Sequence, residues 1–186
     1  MGKICVKGMN QSELQSFCVE AGESEFRGVQ LFEWMYRHGS VSFDSMLNIN
    51  NSFREHLEEH CIIQTLQVEK RILSQKDDSV KILFRTQDNH FIETVSMVDG
   101  DRHTVCLSSQ VGCALDCSFC ATGILGLKRN LSTGEIVDQL IFVRGNIDQS
   151  VTNVVFMGMG EPFHNYENVL NAADIFHSPK GFNLAS

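Results

Sequence analysis

Cys113, Cys117 and Cys120 form a C-x3-C-x2-C run immediately after Gly112. Thiolates are soft metal ligands, and three on one short loop can hold three irons of a cubane cluster while leaving the fourth iron without a protein ligand. That open corner is a binding site for an exogenous chelator. Zinc is the competing occupant, but closed structural zinc takes four ligands, usually from paired C-x2-C units. The nearest histidine, His103, lies ten residues upstream within a strand-like run, so iron fits the pattern better. The chain holds seven cysteines, an odd number, and four of them fall within fifteen residues. An extracellular disulfide framework would space them more evenly.

Other residue types bear on the same chemistry. Phe119 directly precedes the last cysteine of the run, and ordinary packing would account for it. Gly158-Met159-Gly160-Glu161 combines two glycines, which let a backbone approach a ligand closely, with a carboxylate able to accept from an ammonium. Cys106 lies on a strand-like run with Val105 and Leu107 pointing to the opposite face. A lone strand cysteine is most often a small buried hydrophobe. Glu93 stands in the apolar-rich run Phe91–Val95; partly buried it could exchange protons near neutrality, and on the wet face of an antiparallel sheet it would be ordinary. The seven histidines are scattered. Only His56 and His60 fall at i, i+4, beside Glu55, Glu58 and Glu59, which reads as a solvated helix face, and Trp34 is expected in a core.

Three kinds of element must position these residues. Over residues 10–60 the apolar spacing is helical: Asn10 and Glu13 form a cap before Leu14, Phe17 and Cys18, and Gly22 is a stop. Val29, Phe32 and Tyr36 then share a face ahead of Gly39, and Asn51 opens a third helix with Phe53, Leu57 and Cys61. From 66 to 109 the pattern becomes four strand-like runs, 66–73, 79–86, 91–98 and 103–109, separated by polar turns, which predicts an antiparallel meander. Beyond the cysteine loop, Ser132 and Glu135 make a capping box for a helix with Ile136, Leu140 and Val143 inward. A buried strand over 152–157 and a helix over 165–176 follow, completing a βαβ pattern with a parallel sheet. The predicted organisation is a helical domain over 1–65, antiparallel strands over 66–98 and an α/β unit over 99–186.

The 186 residues are 42% hydrophobic and 20% charged, which excludes a disordered or fibrous chain. A net charge of −8 with no basic arm argues against sequence-independent binding to nucleic acid, though not against a locally basic groove. No apolar run is long enough for a membrane span and the start is not signal-like, so a soluble cytoplasmic protein is expected, with no membrane partner and no DNA partner.

The cysteine run with its preceding aromatic resembles the signature of the radical S-adenosylmethionine (SAM) superfamily. Ser108-Ser109-Gln110-Val111-Gly112 before it, Ala121-Thr122-Gly123 after it, Gly126-Leu127-Lys128-Arg129-Asn130-Leu131 and Gly158–Pro162 resemble the RNA adenine methyltransferases of the RlmN and Cfr group. Residues 27–59, with Arg27-Gly28-Val29-Gln30-Leu31-Phe32-Glu33-Trp34, resemble that group's N-terminal helical domain. The resemblance implies an α/β fold, an incomplete radical SAM (βα) partial barrel preceded by a small RNA-contacting helical domain and a β-meander. It implies a [4Fe-4S] cluster on Cys113, Cys117 and Cys120, with SAM chelated at the open iron. Phe119 would lie near the SAM adenine and Gly158, Met159, Gly160 and Glu161 would hold the SAM amino group. Glu93 would contact the target adenine, and Cys106 would close a transient disulfide with a second, methylated cysteine to release the product. The implied activity is methylation of adenosine C2 in 23S rRNA and tRNA, with an electron donor such as flavodoxin; a C8-methylating branch and a non-catalytic iron–sulfur or RNA-binding module are the alternatives.

The chain departs from the group in two respects. No cysteine follows Cys120, and the 74 residues from Cys113 to Ser186 hold about two βα units, where a full barrel takes around 250 residues. The expectation is therefore a chain that does not methylate RNA alone and is poorly soluble.

Overall fold

The computed structural model describes residues 2–115 and 117–184. Asp116, inside the cysteine run, and Ala185-Ser186 at the end lie outside the described residues.

The helical part begins with strand β1 (Ile4–Cys5), then α1 (Gln11–Glu20), α2 (Glu25–Phe32) and α3 (Asn51–His60). Asn10 closes a capping box on α1: its Oδ1 accepts from Glu13 N at 3.0 Å, and Asn10 N donates to Glu13 Oε2 at 2.7 Å. Helix α2 runs on as a π turn over Glu33–Arg37, which ends before Gly39 at φ 69°. The predicted apolar positions Leu14, Cys18, Phe32, Tyr36, Phe53 and Leu57 are all buried. Trp34, expected in the core, is only partly buried and its indole N–H donates to Asn48 Oδ1, while His56 and His60 lie on an exposed face of α3 as expected. Strand β2 (Cys61–Ile62) returns to pair with β1 in parallel.

Four strands follow, β3 (Leu66–Leu73), β4 (Val80–Thr86), β5 (Phe91–Asp99) and β6 (Arg102–Cys106), each antiparallel to the last. After short strand β7 (Gln110–Val111) come the cysteine loop, one-turn helix α4 (Ala121–Ile124) and strand β8 (Arg129–Asn130), which pairs back onto β7. Helix α5 (Thr133–Asn146), strand β9 (Asn153–Val155) and helix α6 (Tyr166–His177) complete the chain. The large sheet has the order β3-β4-β5-β6-β9. Its β6–β9 pair is parallel, so the sheet is mixed, with β6 serving both the meander and the βα unit.

Two strands are shorter than the sequence pattern predicts. The 103–109 run leaves the sheet at Cys106, because beyond it the backbone bonds to the loop after β9: Gly158 N donates to Leu107 O and Ser109 N to Met159 O. The 152–157 run is a strand only over 153–155, and it is partly exposed rather than buried, because it is the edge of the sheet.

One face of the sheet is buried by α5. Ile82, Phe84, Ile92 and Val105 belong to one buried cluster with Ile136, Leu140 and Val143, and Phe84 meets Phe142 edge-on at 5.4 Å. The other side of α5 takes the helical part. Gly8 and Gly134 pass so closely that a Cβ on Gly134 would lie 2.5 Å from Lys7 O. Beside them the fully buried Lys7 ammonium lies 3.5 Å from Asp138 Oδ1, and burial pushes its pKa down against the pull of that carboxylate.

Candidate active site

Parallel β6 and β9 both deliver their chains to one end of the sheet, where open α/β folds place their ligand sites. The chain after β6 becomes the cysteine loop, and the chain after β9 becomes Gly158–Glu161. The two segments are knitted together. Met159 O accepts from Ser109 N at 2.8 Å and Gln110 N at 3.1 Å, and Glu161 N donates to Gln110 Oε1 at 2.9 Å.

This packing accounts for the glycines. A Cβ on Gly158 would lie 2.7 Å from Leu107 O; at Gly160, with φ 98°, it would lie 2.5 Å from the Gln110 side chain. Their missing side chains admit the root of the cysteine loop. Glu161 is partly exposed, and its Oε1 accepts from Phe163 N at 3.1 Å, capping a short 3-10 turn over 162–165.

The cysteine loop is an excursion closed at its base by the β7–β8 pair and by Lys128 N donating to Val111 O. Gly112, at φ 76°, has the Gly126 carbonyl where a Cβ would stand. Cys113, Cys117 and Cys120 are all half-buried. Cys113 Sγ accepts from Leu115 N at 3.4 Å. Backbone N–H groups of Thr122 and Gly123, with the Thr122 hydroxyl, pull the Cys120 thiol below its ordinary pKa. Among the described residues no three ligand side chains are gathered to hold a metal ion. The donor set nevertheless suits a cluster, with three accessible sulfurs on one loop and, at Cys120, N–H groups that favour the ligating thiolate. Phe119 is 91% exposed, which excludes core packing within the described residues and leaves its ring free to stack.

Glu93 and Cys106 share the sheet face turned away from α5. On β5, Ile92 and Thr94 point to the helix and Glu93 to the other side; Cys106 pairs with Val95, two residues along on that same side. The Glu93 carboxylate is 44% exposed and lies 3.2 Å from Lys81 Nζ. It therefore occupies the open face rather than an apolar site. Burial raises the Cys106 thiol, opposed in part by a hydrogen bond donated by the Met157 backbone N–H, so the neutral thiol is favoured.

Several residues that build the site have partners that spacing along the chain does not reveal. Arg129 makes paired bonds to Asp88, at 2.7 Å each, and to Glu135, at 2.8 Å each, tying β8 to the β4–β5 turn and to the start of α5. Asn165 donates to Ser109 O and Leu131 O at 2.7 Å. Ser108 and Gln139 are fully buried and bonded to each other. The one cue to Gln139 is a polar pair, Asp138-Gln139, in the middle of an otherwise apolar helical run.

Comparison with known proteins agrees with this geometry. Residues 107–182 match the radical SAM superfamily model, and residues 5–63 match the N-terminal domain of ribosomal RNA large subunit methyltransferases. The crystal structure of a radical SAM methyltransferase from Sphaerobacter thermophilus superimposes with a TM-score of 0.92 at 38% identity, over 98% of this chain and 54% of that one. The fold and its loops are thus those of a radical SAM protein. The "Probable dual-specificity RNA methyltransferase RlmN" of Aquifex aeolicus is 44% identical over 93% of this chain and 49% of its own length. The corresponding protein of Geotalea uraniireducens is 40% identical over 100% of this chain and 53% of its own length. Within the superfamily, the chain belongs to the RlmN-type family, and it spans about half the length of the curated relatives it matches. Among the described residues no helix is long and apolar enough to cross a membrane.

Proposed function

We propose that this chain carries the cluster- and SAM-binding part of an RNA methyltransferase that modifies C2 of adenosine in 23S rRNA and tRNA. The observation that carries the reading is the meeting of the cysteine loop and Gly158–Glu161 at one end of β6 and β9, beside the face bearing Glu93 and Cys106. Cys113, Cys117 and Cys120 would hold a [4Fe-4S] cluster. When bound, cluster and SAM supply radical chemistry, which ordinary displacement from SAM cannot replace at an electrophilic amidine carbon such as C2. An electron donor of flavodoxin type would feed it.

Each remaining role belongs to the chain's own residues. Glu161 and the backbone of Gly158–Gly160 hold the SAM amino group, a charge-assisted contact that fixes the cofactor's orientation. Phe119 covers the SAM adenine. Glu93, on the open face, takes up or returns a proton at the target base. The Cys106 thiolate would attack the sulfur of a second cysteine carrying the transferred carbon, forming a disulfide as that sulfur–carbon bond breaks and its electron pair leaves with the methylated base. The helical part over residues 1–65 contacts the RNA.

Anaerobic reconstitution tests the reading. The wild-type chain should take up about four irons, and Cys117→Ala should abolish that uptake. Stoichiometric zinc without iron would overturn it. In an enzyme of full family length containing this segment, mapping the product should place the methyl group at C2; a C8 product would move the assignment to the other branch.

A further inference from the structure

Two buried polar side chains lie between the segments assigned to catalysis and to SAM. Ser108 follows β6 and Gln139 sits midway along α5, on opposite sides of the sheet's end, and both are fully buried. The Gln139 amide pairs with the Ser108 backbone as a neighbouring strand would: Ser108 N donates to Oε1 at 2.9 Å, and Nε2 donates to Ser108 O at 3.0 Å. Thr94 Oγ1, on β5 next to Glu93, donates to the same Oε1 at 2.7 Å, and Nε2 also donates to Glu135 O at 3.2 Å. Every hydrogen-bonding site of the amide head is thereby engaged.

With its backbone held from the α5 side, Ser108 directs its hydroxyl the other way. Oγ donates to Glu93 O at 2.5 Å and accepts from Met159 N at 2.9 Å. One hydroxyl therefore bridges the residue assigned to proton transfer and the loop assigned to the SAM ammonium. Strand β6 has ended two residues earlier, so no ladder bond performs this task.

We propose that Ser108 and Gln139 are positioning residues that set the Gly158–Glu161 loop against the Glu93 strand, and so fix where SAM lies relative to the target base. The SAM part of this rests on the function proposed above; the clasp itself does not. A satisfied buried network of this kind holds one arrangement, and a half-satisfied one releases its members. Replacing Ser108 by alanine frees Met159 N and Glu93 O while leaving the Leu107–Gly158 and Gln110–Glu161 bonds in place.

The test uses the 186-residue chain, with amide hydrogen exchange on the metal-free protein and SAM binding on the cluster-reconstituted one. Ser108→Ala should accelerate exchange at Met159 about tenfold or more, with Gly158 and Glu161 within a factor of two of wild type. It should weaken SAM binding about fivefold or more and alter the SAM-induced change in the reduced cluster's paramagnetic resonance spectrum, at unchanged iron content. Gln139→Leu, which touches neither Met159 nor the Glu93 side chain, should shift both readouts in the same direction. Unchanged Met159 exchange in a folded Ser108→Ala protein, or unchanged SAM affinity, overturns the proposal. Wild-type protein that loads iron but binds no SAM overturns the proposed function instead, and Met159 exchange then still decides the clasp. If Gln139→Leu fails to fold, Ser108→Ala decides alone.

Discussion

Glu93 combines an exposed position with a neighbour that matters. Its ion pair with Lys81 is half in solvent, where such pairs contribute about 0–1 kcal/mol. Glu93→Gln should therefore leave the urea midpoint almost where it was. In an enzyme of full family length the same change should slow methyl transfer about 10²-fold, the usual scale for a lost acid–base group. A normal rate with an intact cluster would return Glu93 to a plain surface role. Glu93 and Cys106 read as ordinary strand residues until the family resemblance gives them roles, whereas the three loop cysteines announce themselves by type and spacing. Ser108 and Gln139 do not. Their importance lies in what faces them across a sheet and a helix, and spacing along the chain carries no trace of a partner 31 residues away.

At the scale of elements, the capping boxes on α1 and α5 and the meander follow directly from the sequence, since the boxes rest on contacts three residues apart and the meander on strands joined by short polar turns. Strand limits at the parallel pair do not, because the loop after β9 captures the backbone of 107–109. The same distinction applies to Arg129, which bonds a turn 41 residues upstream. That guanidinium holds the Asp88 carboxyl well below its ordinary value of 3.8. A carboxylate with a depressed folded-state pKa contributes stability that is fully present above its unfolded value and lost as the pH falls through the folded one. Arg129→Met also removes the counter-charge of the buried Glu135, which keeps only its Ser132 cap bonds, so it should cost about 1–3 kcal/mol at pH 7. The gap between variant and wild type should narrow steadily below about pH 4, measured by urea unfolding. A gap independent of pH would assign the loss to packing.

Across the whole molecule, the helical part and the sheet are joined through α5, and the join includes the buried pair of Lys7 and Asp138. Asp138 Oδ2 also accepts from Thr65 N and Oγ1 at 2.6 Å, but Oδ1 has no hydrogen-bond partner among the described residues. Lys7→Met would leave that carboxylate buried without its counter-charge, which costs about 3–5 kcal/mol. Equilibrium unfolding should show that loss, and adding Asp138→Asn should recover part of it. An unchanged midpoint in Lys7→Met would mean that the pair contributes nothing to the join.

The double duty of β6 also fixes an order of assembly. Strands β3 to β6 meet through short turns, whereas Thr104 meets Asn153 only after the intervening chain has closed on itself. Distant pairings come late because loop closure must be paid in entropy before any contact rewards it. The cysteine loop lies wholly inside that closing stretch, so a chain emerging from synthesis displays its three thiols while the segment carrying Glu161 is still unattached. Only when the parallel pair closes do Ser109 and Gln110 gain Met159 as their hydrogen-bond partner, so the root of the cysteine loop is the last part of the site to be fixed in place.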